Sequence, residues 1–266
     1  MFRIDQMAYG RFGNKLLYYN NLRQLAILYG TDYSCVPWEG QKIFNNLLFE
    51  EEYKNQKKSI VQLSSKELLT ADKNDILKVL EKYDISLLAP CLGELFFSVT
   101  KTDPKKILHL PLEENKELTI GLHFRGSDFF AWNPDACMPT SYYKNAIDLC
   151  EKEHNEQKKY ILYTEDVTYK PFNEIKEFLE KEKIPYELGP ATKEYKHFSH
   201  DFVKLANSDI IVSSPSTFAI CAGFLGKEKK IIYSEDWINN RVNVNDRLWT
   251  ELNSGGNKWY NIWRVC

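Results

Sequence analysis

From residue 118 to residue 233, short apolar runs alternate with longer amphipathic ones, and few folds tolerate that rhythm. Continuous apolar runs suit strands covered on both faces, and the segments between them carry helical spacing. The order β-α-β-α-β-α-β-α-β predicts an α/β class with a parallel, Rossmann-like sheet. Strands are expected at 118–123, 160–163, 186–188 and 209–212, with 230–233 as the last strand. Helices are expected at 141–153, 172–183, 201–207 and 215–224. Of these, the helix at 215–224 has Pro215 near its start, a position that proline favours.

The first half carries the same rhythm more loosely. A strand is expected within 1–7, and a helix over 14–29. Tyr18, Leu22, Leu25, Ala26 and Tyr29 share one face of that helix, and Gly30 is its stop. A strand at 32–36 and helices at 41–50, 74–82 and 92–99 follow. The charged segment 100–116, with two prolines, reads as a linker. Two Rossmann-like domains facing across a cleft are therefore expected, 1–115 and 116–266. A tail from about residue 237, rich in tryptophan, packs back onto them.

Composition narrows the function classes. At 266 residues with 43% hydrophobic and 14% aromatic content, the chain suits packed cores rather than disorder. Its formal net charge of −2 lacks the basic excess of a nucleic-acid binder, so no nucleic-acid partner is expected. The six cysteines include no Cys-x-x-Cys and no zinc-like spacing, which suits reduced thiols. No membrane-length apolar run is present, and neither a signal peptide nor a location other than the cytoplasm is expected.

Three segments carry chemistry. In the first, Gly10-Arg11-Phe12-Gly13-Asn14-Lys15, the glycines allow a tight turn beside a ligand. Asn14 is placed to cap the following helix, and Arg11 and Lys15 add charge. In the second, His123-Phe124-Arg125-Gly126-Ser127-Asp128, an apolar strand ends abruptly in polar groups. Ligands of open α/β sheets bind at such carboxyl ends. The fork of Arg125 fits phosphate oxygens, although an arginine and an acid three residues apart also suit a local ion pair. In the third, Ser213-Ser214-Pro215-Ser216-Thr217-Phe218, hydroxyls gather at a helix start, as an anion cradle or as a plain cap.

Asp201 opens the preceding helix, where it either caps or accepts the two hydrogen bonds of a guanine edge; Asp166 lies near the same sheet edge. His197 and His200 read as a solvated helix start. No Asp-x-Asp is present to bridge a metal and a diphosphate, so the ligand's charge is expected to be met by Arg, helix ends and hydroxyls without a metal.

Together and in this order, the three segments resemble those of the GDP-fucose-dependent fucosyltransferase superfamily. Gly10-Arg11-Phe12-Gly13-Asn14 is similar to its N-terminal glycine loop, and His123-x-Arg125-x-x-Asp128 to its central motif. Ser214-Pro215-Ser216-Thr217-Phe218, followed by Ala222-Gly223-Phe224-Leu225, is similar to the last motif of α-1,2-fucosyltransferases. The Gly-Ser-Asp ending of the central motif is similar to protein O-fucosyltransferases.

The resemblance implies a two-domain GT-B fold with the acceptor on the N-terminal side. It implies inverting, metal-independent transfer of L-fucose from GDP-fucose to a glycan hydroxyl, in α-1,2 linkage, with no cofactor beyond the donor. Arg125 would contact the β-phosphate and the departing oxygen, His123 and Asn14 the diphosphate or fucose, and Asp201 the guanine. Gly10, Arg11 and Gly13 would complete the N-terminal loop. Ser214, Ser216, Thr217 and Phe218 would line the phosphate site, and Asp128 would orient the arginine loop. Asp128 and Asp135 are also the nearest candidates for the base. The partners implied are a GDP-sugar and a glycan, with peripheral membrane association if the acceptor is lipid-linked. The rivals are a transferase for another GDP-sugar, a protein O-fucosyltransferase-like enzyme, and a non-catalytic nucleotide-sugar or glycan-binding protein.

Overall fold

The computed structural model describes residues 1–7, 10–44, 58–88, 104–126, 128–132, 134, 137–194, 197–226, 230–234 and 261–265, the last by backbone alone. The chain divides into two compact units after His109.

The first unit holds a four-stranded sheet of order β2-β1-β4-β3, in which every pairing is parallel. β1 is Phe2–Ile4, β2 Tyr33–Cys35, β3 Ser59–Leu63 and β4 Tyr83–Leu87. Helix α1, Phe12–Tyr29, lays Tyr18, Leu22 and Leu25 against Phe2, Ile4 and Ile85. It stops where expected: Gly30 adopts φ 61°, and its N–H bonds to the carbonyls of Ala26 and Ile27. α2, Ser65–Thr70, starts from a capping box of Ser64 and Glu67. α3, Lys73–Lys82, is capped by Asp72 and buries Ile76 and Leu80. The short α4 is Pro104–Ile107.

Two expectations for this unit are corrected. The segment expected as a helix at 41–50 forms a 3-10 turn over Glu39–Lys42, and 45–50 lie outside the described residues. β3 and β4 were not expected from the sequence. β3 is largely exposed at the sheet edge, and β4 carries a buried acid, Asp84, whose partner is the amino terminus of Met1 at 2.9 Å. The helix expected at 92–99 lies outside the described residues.

The second unit holds a six-stranded parallel sheet of order β10-β9-β8-β5-β6-β7. β5 is Leu118–His123, β6 Lys158–Tyr163, β7 Tyr186–Leu188, β8 Ile210–Val212, β9 Lys230–Ser234 and β10 Asn261–Val265. The helices are α5 (Asp128–Trp132), α6 (Thr140–Glu153), α7 (Lys170–Lys181), α8 (Pro190–Glu194), α9 (Phe198–Ala206) and α10 (Thr217–Leu225). The five expected strands form. The strand at 230–234 is not the last, because β10 pairs parallel to it along its whole length. The remainder of the tail from 237 lies outside the described residues.

The approach to β5 is held by Asn207 at the end of α9. Its side chain accepts from the Glu113 N–H (2.6 Å) and donates to Pro111 O (3.1 Å), and its carbonyl accepts from Asn115 Nδ2 (2.7 Å). Asp209 Oδ2 takes Asn115 Nδ2 and the Thr119 N–H, both at 2.9 Å.

The connections run from β5 outward through β6 to β7, then return to β8 on the other side of β5. The point where that direction reverses, between β5 and β8, is where open parallel sheets bind their ligands.

Candidate functional site

His123 ends β5, and Val212 ends β8 as the register partner of Leu122. The loops leaving these two strands meet: His123 Nδ1 lies 2.7 Å from Ser214 Oγ, both side chains being buried. The imidazole also stacks on Phe218, with centroids 5.5 Å apart. Burial, and secondarily the Arg125 charge, lower the His123 pKa to about 3. The ring is therefore neutral across physiological pH. With Nδ1 engaged by Ser214, Nε2 is the nitrogen left to a ligand.

Phe124 fixes the segment. It is buried, stacked on Tyr143 at 4.1 Å and edge-on to Phe172. Two adjacent tyrosines of α6 brace the loops from below. Tyr143 donates to the His123 carbonyl (3.1 Å), while Tyr142 donates to the carbonyls of Ser213 (2.8 Å) and Ile232 (3.1 Å). At Gly126 an added Cβ would lie 2.9 Å from the Tyr169 ring, so only glycine lets the chain pass there.

Arg125 is 9% exposed. Its guanidinium bonds to Glu165 in the loop after β6 and lies 4.5 Å from the centroid of the Phe129 ring. Arg125 is thus ion-paired with Glu165 of the neighbouring strand's loop. The side chain of Asp128, at the start of α5, is outside the described residues, as are Ser127 and Asp135. Glu165 is the site residue that sequence reasoning missed; the neighbouring Asp166 drew attention instead. Asp166 is committed to its own turn, accepting from Thr168 N (3.0 Å) and Thr168 Oγ1 (2.6 Å).

Ser216 is the N-cap of α10, accepting from the Phe218 N–H at 3.3 Å, and Thr217 is the first helical residue. Pro215 thus precedes the cap, whereas the sequence had placed it inside the helix. Phe218 links the site to α9 through Phe202, 5.2 Å away.

Asp201 does not open its helix. His197 caps α9, accepting from Ser199 N at 3.3 Å, and Asp201 sits within the helix. Its buried carboxylate instead accepts from the Ala191 N–H (2.7 Å) at the start of α8 and lies 3.4 Å from Thr192 Oγ1. Burial raises its pKa, while these hydrogen bonds oppose the shift. Thr192 in turn bonds to the backbone of Thr164 at both N (3.0 Å) and O (2.9 Å), beside Glu165. A polar chain thus runs from Asp201 through Thr192 to the loop that holds Arg125.

The N-terminal loop belongs to the first unit. Gly10 takes φ 67°, and an added Cβ would fall 2.2 Å from Asn14 Nδ2, so glycine is required on both counts. Asn14 does not cap α1: the N-cap is Arg11, which makes no side-chain cap bond, and Asn14 lies in the first turn over Gly10. Gly13 is buried, Gly10 and Arg11 are exposed, and Lys15 pairs with Glu39 at 2.6 Å. Among the described residues no helix is long and apolar enough to cross a membrane, and no group of three or more His, Cys, Asp or Glu could hold a metal ion.

No protein-family model matches the chain, and no curated protein matches it by sequence. Solved structures do match. An FUT1 variant of Arabidopsis thaliana in complex with GDP is 14% identical; the match covers 87% of this chain and 70% of that one, with a TM-score of 0.53. The fold is GT-B. The Escherichia coli ADP-heptose LPS heptosyltransferase II is 10% identical over 100% of this chain and 90% of that one, with a TM-score of 0.49. A family 9 glycosyltransferase from Veillonella parvula is 10% identical over 99% and 85%, with a TM-score of 0.47. The GT-B fold expected from the sequence is thus the fold observed. His123, Arg125, Ser214, Ser216 and Phe218 gather at the β5/β8 reversal of its second unit.

Proposed function

We propose that the chain is an inverting glycosyltransferase that uses a GDP-sugar, GDP-fucose, and transfers L-fucose to a hydroxyl of a glycan in α-1,2 linkage. The observation that carries this reading is the joining of two sequence-distant motifs through the His123–Ser214 contact, with Arg125 two residues on, at the reversal point of a parallel sheet. That FUT1 of A. thaliana is seen with GDP supports a guanosine diphosphate as the ligand.

Breaking the C1–O bond of a nucleotide sugar builds negative charge on the diphosphate. A buried guanidinium aimed at that charge stabilises the leaving group without a metal ion. Neutral His123 neither adds charge nor repels Arg125; it serves as a hydrogen-bond donor or acceptor toward phosphate or sugar. The Ser216 cap and the start of α10 place backbone N–H groups and hydroxyls beside it. Asp201 contributes at the guanine end while also holding α8.

The test is release of GDP from GDP-fucose, with GDP-mannose and UDP-sugars as comparisons, on a panel of glycan acceptors with and without chelator. Turnover with GDP-fucose that survives chelation is expected. Release of GDP from GDP-mannose alone would change the donor, and loss of turnover on chelation would end the metal-free mechanism.

A further inference from the structure

The ladder between β5 and β6 sets two opposite charges side by side. His123 is the register partner of Tyr163, so Arg125 and Glu165 each stand two residues beyond a paired position. The Arg125 Nη1 donates to Glu165 Oε1. The two side chains are unequally placed: that of Arg125 is 11% exposed and that of Glu165 is 37% exposed.

Arg125 is further held against the Phe129 ring. The residues on either side of Glu165 are fixed by their own bonds. Thr164 Oγ1 accepts from the Asp166 N–H at 3.0 Å, and Asp166 Oδ1 holds Thr168. The arginine is thus the fixed partner, and the carboxylate is a solvent-reaching arm on a rigid turn. The pair sums to zero charge, and the adjacent His123 adds none at physiological pH. A diphosphate is drawn to a guanidinium in proportion to the positive charge left uncompensated there.

We infer that Glu165 is the exchangeable counter-ion of Arg125: it yields the guanidinium to the diphosphate of a bound nucleotide, reclaims it as the nucleotide leaves, and so sets nucleotide affinity. This rests on the reading of Arg125 as the diphosphate's partner. A unit negative charge about 8 Å from another, at an effective dielectric near 20, repels by about 2 kcal/mol before salt screening. Removing the Glu165 charge is therefore worth about thirtyfold in affinity before screening and roughly tenfold once low salt screens it. Glu165→Gln does so while keeping an oxygen to accept from Nη1. Glu165→Ser, which removes both charge and reach, is the second variant.

The experiment is calorimetric titration of the full chain with GDP at low and physiological salt, for wild type, both Glu165 variants, Arg125→Ala, and the E165Q/R125A double variant. Unfolding midpoints check that each is folded. Expected is tighter GDP binding in both Glu165 variants, by roughly tenfold in E165Q at low salt. The gain should shrink as salt rises and vanish in the R125A background. Unchanged or weaker GDP binding in the Glu165 variants, with Arg125-dependent binding in wild type, makes Glu165 a fixed brace and overturns this inference alone. Wild type that binds no GDP, or binds it equally well without Arg125, overturns the functional reading and this inference with it.

Discussion

The two units share a plan and differ in how their loops are secured. In each, the first strand lies inside a parallel sheet, β1 between β2 and β4, β5 between β6 and β8. Each therefore has a reversal point at the carboxyl end of its first strand. In the second unit that end is closed by side chains: Tyr142 and Tyr143 bond to loop carbonyls, and His123 meets Ser214. In the first unit the corresponding loop exposes Gly10 and Arg11. The helix that follows buries Asn20 and Asn21 completely, with no hydrogen-bond partner for either carboxamide among the described residues. One plan thus yields a preorganised cradle in one unit and an unsettled polar helix in the other. Preorganisation is what lets fixed dipoles and charges act on a reacting group without rearranging.

The widest break in that contrast is Arg125→Ala. Losing one donor aimed at developing charge costs about 2.7–4 kcal/mol, roughly 10²–10³ in kcat. Steady-state assay of GDP release should show that fall in a protein whose unfolding curve is little changed. Near-normal turnover would remove Arg125 from the chemistry and leave the cradle merely structural.

Second in size is the pH response of His123. Its folded pKa, about 3, lies below the ordinary value near 6.5, so the unfolded chain binds the extra proton first. This contribution to stability is complete above about pH 6.5 and is lost as pH falls toward about 3. Its limiting slope is about 1.4 kcal/mol per pH unit. Urea unfolding across that window should show a shallower slope in His123→Asn than in wild type. Equal slopes would mean that the ring is not buried neutral.

Tyr142→Phe sharpens the comparison from the packing side. It strands the buried carbonyl of Ser213, while that of Ile232 keeps the Ser213 N–H at 2.9 Å, at a cost of about 1–3 kcal/mol. A loss of that size by denaturant titration, together with weaker GDP binding, would show that the brace serves the cradle. The smallest effect belongs to the first unit. Asn20→Leu removes a buried amide that has no partner among the described residues and should raise stability by about 1 kcal/mol. A fall in the unfolding midpoint would show that the carboxamide is engaged and would narrow the difference between the units.

How far the sequence could be read follows the same divide. β6, β8 and β9 are buried parallel strands, and Tyr160–Tyr163, Ile210–Val212 and Ile231–Tyr233 announce themselves as apolar runs. β3 and β4 do not. Ser59–Leu63 is exposed at an edge, and Asp84 interrupts the apolar pattern of β4 until the amino terminus of Met1 is seen to neutralise it. β10 needed sheet order, which local pattern does not carry. In the candidate site, residue type singled out His123, Arg125 and Ser214, and the structure brings His123 and Ser214 together. Glu165 was hidden because pairing register between β5 and β6 is a property of the folded sheet. Asn14 and Asp201 were misplaced as caps because the helices begin earlier, at Phe12 and Phe198.

Asn207 gives the second unit a clasp of its own. The stretch from Pro111 to Asn115 is buttoned onto the end of α9 before β5 begins. A fragment starting at residue 110 carries that clasp with it, whereas one trimmed to the first strand leaves Asn207, only 6% exposed, stripped of its three upstream partners. The natural cutting point for dissecting this chain therefore lies before the prolyl carbonyl at 111, well upstream of where the sheet itself starts.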